Sequence, residues 1–224
     1  EVASRMVVDT IKDYFQKVIE GNAPSFLYPI EKDVSEGAKQ LIDSVAFTNV
    51  VVHEAQKKPQ YHRMGSTVSA LLVEKDCIWS ANVGDSPVYI LDNGHLILVS
   101  EEHSIEGEQK SMGMSLNSTN PMLKNMLTRV LGLNEKVDVY ITPIRPEKGD
   151  IILVCSDGLT NYMSEQSITT VLGDFSISLE RKADILIDEA NLGGGGDNIT
   201  VILLEVLDEG GRWEKFKKRF MPKG

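Results

Sequence analysis

The chain has 224 residues, enough for one large domain with a substantial core, and 42% of them are hydrophobic, as in an ordinary globular protein. Its formal net charge of -10 argues against a general nucleic-acid binder, which would show a basic face. Two cysteines, Cys77 and Cys155, lie in apolar runs and read as buried thiols of a reducing compartment, and neither a membrane-length apolar run nor a signal peptide is visible.

Glu1 to Glu20 places Val2, Met6, Val7, Ile11, Tyr14, Phe15, Val18 and Ile19 at helical spacing, and Gly21-Asn22 ends the pattern. After a loop with Pro24 and Pro29, a second helix is predicted from about Ser35 to Lys57, stopped by Pro59. Four short β-rich runs follow: Thr67–Glu74, Cys77–Val83, Val88–Leu91 and Leu96–Val99. Turn residues Lys75-Asp76 and Asp92-Asn93-Gly94 separate two pairs of them, which predicts an antiparallel meander. Glu101 to Lys124 is polar and irregular, the kind of long segment that is often functional inside a domain. Val137–Ile141 and Ile151–Cys155 resume strands. Helices are predicted over Ser164–Leu172, with Ser164 as N-cap, and over Leu179–Leu192, ended by glycines. Ile199–Val206 is the last strand, and Ile151–Cys155 and Val201–Leu204 are expected to be buried. The tail Arg212–Gly224 carries six basic residues and one acidic one with Trp213, Phe216 and Phe220 between them. It is read as a terminal helix docked on the body, or alternatively as a basic segment for a membrane surface or acidic partner. Helices, then strands, then helices and a final strand define an α+β protein.

Three aspartates stand at strand ends beside glycine. Asp157 leaves the run Ile151–Cys155 and precedes Gly158. Asp197 follows the four glycines Gly193–Gly196 and precedes the last strand. Asp85 follows Gly84 between two strand-like runs. Asp beside Gly is by itself ordinary turn chemistry. Three such residues together point to hard cations such as Mg²⁺ or Mn²⁺, which prefer oxygen ligands. Cys155 lacks the arginine six residues on that a cysteine phosphatase uses to cradle phosphate, because position 161 is Asn161. No Gly-x-Ser-x-Gly elbow and no Gly-x4-Gly-Lys phosphate loop occurs.

Six motifs in order resemble the metal-dependent protein serine/threonine phosphatases of type 2C, particularly the bacterial ones. They are Gly65-Ser66-Thr67, Ala81 to Ser86, His103-Ser104, Leu127 to Gly132, Gly149-Asp150 through Cys155 to Thr160, and Gly196 to Val201. The resemblance implies a four-layer α-β-β-α sandwich of mostly antiparallel sheets. It implies hydrolysis of phosphoserine and phosphothreonine by a metal-activated water, with two or three Mn²⁺ or Mg²⁺ ions per site. Asp157 and Asp197 match metal ligands, and Asp85 matches a ligand of an additional, weaker ion. Glu101–Lys124 matches a mobile flap, and His103 is expected to shape its start.

The resemblance also carries departures. Its first strands hold a phosphate-binding arginine, an acidic ligand and an Asp-Gly motif, and Glu1 to Ser4 look like the residues just after that motif. The N-terminal strands are therefore expected to lie outside this sequence, the general acid and phosphate-binding arginine stay unassigned, and the chain alone is expected to hold metals weakly and to hydrolyse phosphopeptides poorly. Asn161 stands where some relatives carry an aspartate, and Pro87 where an arginine is usual, which reads as a sheet edge or turn. Residues 1–207 are expected to form the catalytic domain and 208–224 the tail. Phosphoproteins, the products of a serine/threonine kinase, are the implied partners, nucleic acid is not, and the implied location is cytoplasmic. The alternatives are a non-catalytic regulatory or phosphoprotein-binding module on the same fold, and a structural β-sandwich whose aspartates only make turns.

Overall fold

A computed structural model describes residues 1–24, 34–75, 77–113 and 126–207. The tail, most of the predicted 23–33 loop, Asp76 and the second half of the predicted flap lie outside the described residues. The chain divides into two units, one built from residues 1–72, 79–86 and 100–142 and the other from 73–78, 87–99 and 143–224.

The first unit opens with two helices packed on each other, α1 (Val2–Ile19) and α2 (Glu36–Ala55). Ser35 caps α2 by accepting the Ala38 N–H at 3.1 Å, which satisfies one of the orphan donors of the first turn. The unit also holds most of a three-stranded sheet in the order β1 (Val68–Val73), β2 (Ile78–Val83) and β5 (Tyr140–Ile144). Every residue of β2 is buried. Val7 from α1, Val45 and Val52 from α2, Val83 from β2 and Leu131 form its apolar centre.

The second unit contains a four-stranded antiparallel sheet in the order β4 (His95–Leu98), β3 (Val88–Asp92), β6 (Ile151–Cys155) and β7 (Val201–Glu205). Helices α5 (Glu165–Leu172) and α6 (Leu179–Leu192) supply Ile168, Leu172 and Leu186 to a core shared with Leu153 and Leu159. Ser164 and Ser178 cap them, accepting N–H groups from Ser167 at 3.1 Å and Arg181 at 3.3 Å. Asn93 and Gly94, both at positive φ, close the β3–β4 hairpin, as the Asp-Asn-Gly spelling predicts.

Mixed helices and antiparallel strands confirm the α+β class, but several details differ from expectation. The four runs from Thr67 to Val99 are not one meander, because β2 and β3 belong to different sheets and the chain changes sheet across Gly84–Pro87. Of the two readings of Pro87, the edge fails, since it precedes the interior strand β3 and its carbonyl accepts the Cys155 N–H at 3.2 Å, while the turn agrees with its place in the non-strand link between β2 and β3. The strand expected at Val137–Ile141 begins only at Tyr140. The irregular segment after Glu101 contains helix α3 (Ile105–Ser111), capped by Ser104, whose hydroxyl accepts the Gly107 N–H at 3.0 Å. It has no buried residue, so no apolar stripe betrayed it. Strand β6 is buried throughout, but β7 lies at the sheet edge and is half-exposed, with Ile202 at 55%. Cys155 is buried, whereas Cys77 is half-buried, against the expectation that both are buried.

Candidate active site

Asp157 and Asp197 are brought to one end of β6 and β7. The two strands pair antiparallel with Cys155 opposite Val201, so the exit of β6 faces the entrance of β7. Beyond the last pair, Ser156 holds the incoming chain with its backbone and its side chain. Its N–H donates to the Thr200 carbonyl at 3.1 Å, and its hydroxyl donates to the Asn198 carbonyl at 2.9 Å while accepting the Thr200 N–H at 3.0 Å.

Asp157 then opens a single helical turn, α4 (Asp157–Thr160). The turn lies directly against the backbone that carries Asp197. A methyl group on Gly158 would overlap the Asn198 carbonyl oxygen and stand 3.5 Å from Asp197 Cβ. Glycine at 158 is therefore a requirement of close approach between the two aspartate segments. The Asp157 carboxylate is half-buried and accepts from Asn161 Nδ2 at 3.2 Å, one helical turn on. Asp197 is exposed and accepts the Asn198 N–H at 2.7 Å.

Cys155, one residue inside the strand, is not a nucleophile in waiting. Burial, with the Asp157 charge adding to it, pushes its thiol up to about 12, so it stays protonated at neutral pH.

Asp85 belongs to the first unit, and there four of the motifs are joined to one another. Ser66 and Leu131 exchange backbone hydrogen bonds at 2.9 and 3.3 Å. Thr67 Oγ1 is hydrogen-bonded to Ser86 Oγ at 2.9 Å. Gly84, at φ +108°, packs against the Thr67 side chain, which leaves no room for a Cβ. Its N–H donates to His103 Nδ1 at 3.0 Å and its carbonyl accepts the His103 N–H at 3.0 Å, so His103 grips the residue before Asp85 twice.

His103 is wholly buried, with Arg129 Nη1 3.0 Å from its Nε2. Burial, aided by the Arg129 cation, lowers it from the ordinary 6.5 to about 4, and it is neutral at physiological pH. Arg129 in turn donates to Glu101 Oε1 at 3.3 Å, and the His103 carbonyl accepts the Thr128 N–H at 2.9 Å. His103 thus stands at the entrance of α3, one residue before its N-cap Ser104.

Sequence reading missed the polar stripe of α2. Asn49, His53 and Gln56 fall on one helix face and all reach Gly132, the last residue of the fourth motif. Asn49 Oδ1 accepts its N–H at 2.8 Å, while His53 Nδ1 and Gln56 Nε2 bond its carbonyl. Gly132 has φ +90°, and its backbone lies against Val52. The 4- and 3-residue spacing of these polar side chains was the available sign.

The donor set fits hard divalent ions in chemistry, since Asp157 and Asp197 offer carboxylate oxygens from adjacent strand ends. It is not a full shell: among the described residues no group of three or more His, Cys, Asp and Glu is placed to hold a metal ion. A cleft of about 250 Å³ in the first unit, lined by Glu108, Arg129, Lys136 and Asp138 among others, includes none of the three aspartates.

The chain belongs to the protein phosphatase 2C family, whose family model matches residues 1–189, and its class is that of a bacterial protein phosphatase enzyme. The serine/threonine phosphatase stp of Listeria welshimeri is 34% identical over 208 residues, covering 92% of this chain and 78% of that protein. The solved serine/threonine phosphatase of S. agalactiae superposes with a TM-score of 0.78 at 31% identity, covering 92% of this chain and 81% of its own. The catalytic domain of the serine/threonine protein phosphatase PstP, solved in complex with two manganese ions, shares the fold at a TM-score of 0.71 and 24% identity, covering 93% of this chain and 82% of its own. These likenesses give no support to a non-catalytic module. Among the described residues no helix is long and apolar enough to cross a membrane.

Proposed function

We propose that this chain hydrolyses phosphoserine and phosphothreonine in proteins, with Asp157 and Asp197 as ligands of Mn²⁺ or Mg²⁺ and Asp85 as a ligand of a further, more weakly held ion. The observation that carries this is the contact of Gly158 with Asn198 and Asp197, which draws two hard-ligand carboxylates to one end of the β6–β7 pair. Bound divalent ions supply the acidification of a water molecule at neutral pH and the neutralisation of phosphate charge.

The protein's own part is to hold the ligands. Ser156 anchors the segment bearing Asp197, and Asn161 orients the Asp157 carboxylate. Because Asn161 is neutral where an aspartate would add charge, the further ion binds more weakly. Cys155 stays a protonated thiol and forms no bond to phosphorus. Residues 1–207 form the catalytic domain, phosphoproteins made by a serine/threonine kinase are the substrates, and the site of action is the cytoplasm.

The test is Mn²⁺-dependent release of phosphate from a phosphothreonine peptide, compared across the parent chain, Asp157→Asn and Asp197→Asn. Each substitution is expected to abolish turnover and to weaken Mn²⁺ binding in calorimetry. Parent-like turnover in either variant would remove that residue from the metal site.

A further inference from the structure

Of the four glycines before Asp197, Gly194 and Gly196 lie against the ring and hydroxyl of Tyr162, Gly193 lies against its carbonyl, and Gly195 lies against Asn191. A methyl group on Gly193 would lie 2.7 Å from the Tyr162 carbonyl oxygen. One on Gly194 would lie 2.7 and 2.8 Å from the ring carbons Cε1 and Cδ1. One on Gly196 would overlap the phenol oxygen and stand 3.2 Å from Cζ. Gly194 and Gly195 also take φ values of +149° and +54°, which L side chains rarely adopt. Three of the four glycines are thus explained by the space Tyr162 occupies, and two by backbone shape.

The position of this ring matters. Tyr162 stands two residues after α4, five residues beyond Asp157, and packs on the core that includes Leu159 and Met163. The strap begins at the C-terminus of α6, where Gly193 N–H donates to the Glu189 carbonyl at 2.8 Å, and it ends on Asp197. A bare glycine run would wander, and ordering it would cost entropy each time an ion bound.

We infer that Tyr162 is a positioning residue of the metal site: its ring is the template that sets the path of Gly193–Gly196 and so holds Asp197 beside Asp157 before an ion arrives. This rests on the phosphatase reading for the role of Asp197. It adds a residue that touches neither metal nor phosphate, acting as an outer support of a ligand.

The test uses the full chain as Tyr162→Phe, Tyr162→Ala, Gly196→Ala and the double variant Tyr162→Phe with Gly196→Ala. Two quantities are read: hydrogen–deuterium exchange of the 193–198 amides without metal, and Mn²⁺ affinity by calorimetry. Tyr162→Phe keeps the ring face and should match the parent. Tyr162→Ala and Gly196→Ala should speed exchange in the strap and weaken Mn²⁺ roughly tenfold. In the double variant the added methyl occupies the space vacated by the phenol oxygen, so exchange and affinity should return toward the parent, a coupling that simple additivity forbids.

The inference is overturned if Gly196→Ala leaves both quantities unchanged, or if the double variant is no better than Gly196→Ala alone. That pair differs from the parent by one added and one removed heavy atom, so the test stands even if Tyr162→Ala does not fold. Asp197→Asn separates the two layers. Parent-like Mn²⁺ binding in that variant refutes the ligand assignment, while the exchange data still decide whether Tyr162 shapes the strap.

Discussion

Replacing Gly158 by alanine probes the contact on which the site is built. Position 158 is buried within α4, and its φ is not in the left-handed region, so the substitution brings no backbone strain of its own. In an exposed helix the change would even gain about 1 kcal/mol in propensity. Here the new Cβ meets the Asn198 carbonyl oxygen head-on and comes within 3.0 Å of the carbonyl carbon. The 197–198 backbone must retreat by about 1 Å to restore ordinary contact. That retreat pulls against the Ser156 hydroxyl, which bonds the Asn198 carbonyl at 2.9 Å and the Thr200 N–H at 3.0 Å. Overpacking costs roughly 1–3 kcal/mol and each weakened hydrogen bond roughly 0.5–1.5 kcal/mol. Set against the propensity gain, the net destabilisation is about 3 kcal/mol, which lowers Tm by about 6–12 °C in a chain of this size. Because Asp197 moves with Asn198, Mn²⁺ affinity should fall as well. Differential scanning calorimetry gives the first quantity and titration calorimetry the second. A Gly158→Ala protein with parent-like Tm and Mn²⁺ affinity would show that the two aspartate segments are not held by this contact.

Three further outcomes are expected. Leu153→Ala, which empties a fully buried position of the β6 core, should cost about 2–5 kcal/mol, read from the urea denaturation midpoint. His103 sits among Arg129, Glu101 and Glu108, and a doubly protonated ring could no longer accept from Gly84 N–H. Its folded value lies below its ordinary one, so its stabilisation is present above pH 6.5 and is lost as pH falls toward about 4, and His103→Gln should flatten that part of the stability profile. Cys155, buried and pushed up to about 12, should resist a thiol reagent in the native state at pH 8 and react only after unfolding, whereas rapid native reaction would contradict its burial.

Much of this was legible in the chain because local chemistry decided it. Five consecutive apolar residues, Ile151 to Cys155, could only be a buried strand, and β6 has those bounds. Ser164 caps its helix as expected because its hydroxyl reaches the third N–H beyond it, and Ser35 and Ser178, not singled out in the sequence, do so by the same strictly local geometry. What stayed hidden was non-local or lacked a periodic stripe. The step from β2 to β3 reads the same whether the chain folds back or changes sheet, since strand composition does not name a partner. Helix α3 buries nothing, and β7 has core-like residues at a sheet edge, so hydropathy misjudged both.

The contacts also show why the motifs have the spellings they do. Gly84 must be glycine because Thr67 stands against it, and Gly132 because α2 closes on it with Val52 and three polar side chains. Gly158 must be glycine because Asn198 does the same. Each motif is therefore half of a contact whose other half is another motif: the first four pair within one unit, and Asp157-Gly158 pairs with Asp197-Asn198 in the other. A short word such as Asp-Gly says little by itself, because any turn could use it. Its content is steric and mutual, so it becomes readable only when its counterpart, forty residues away in the chain, is read with it.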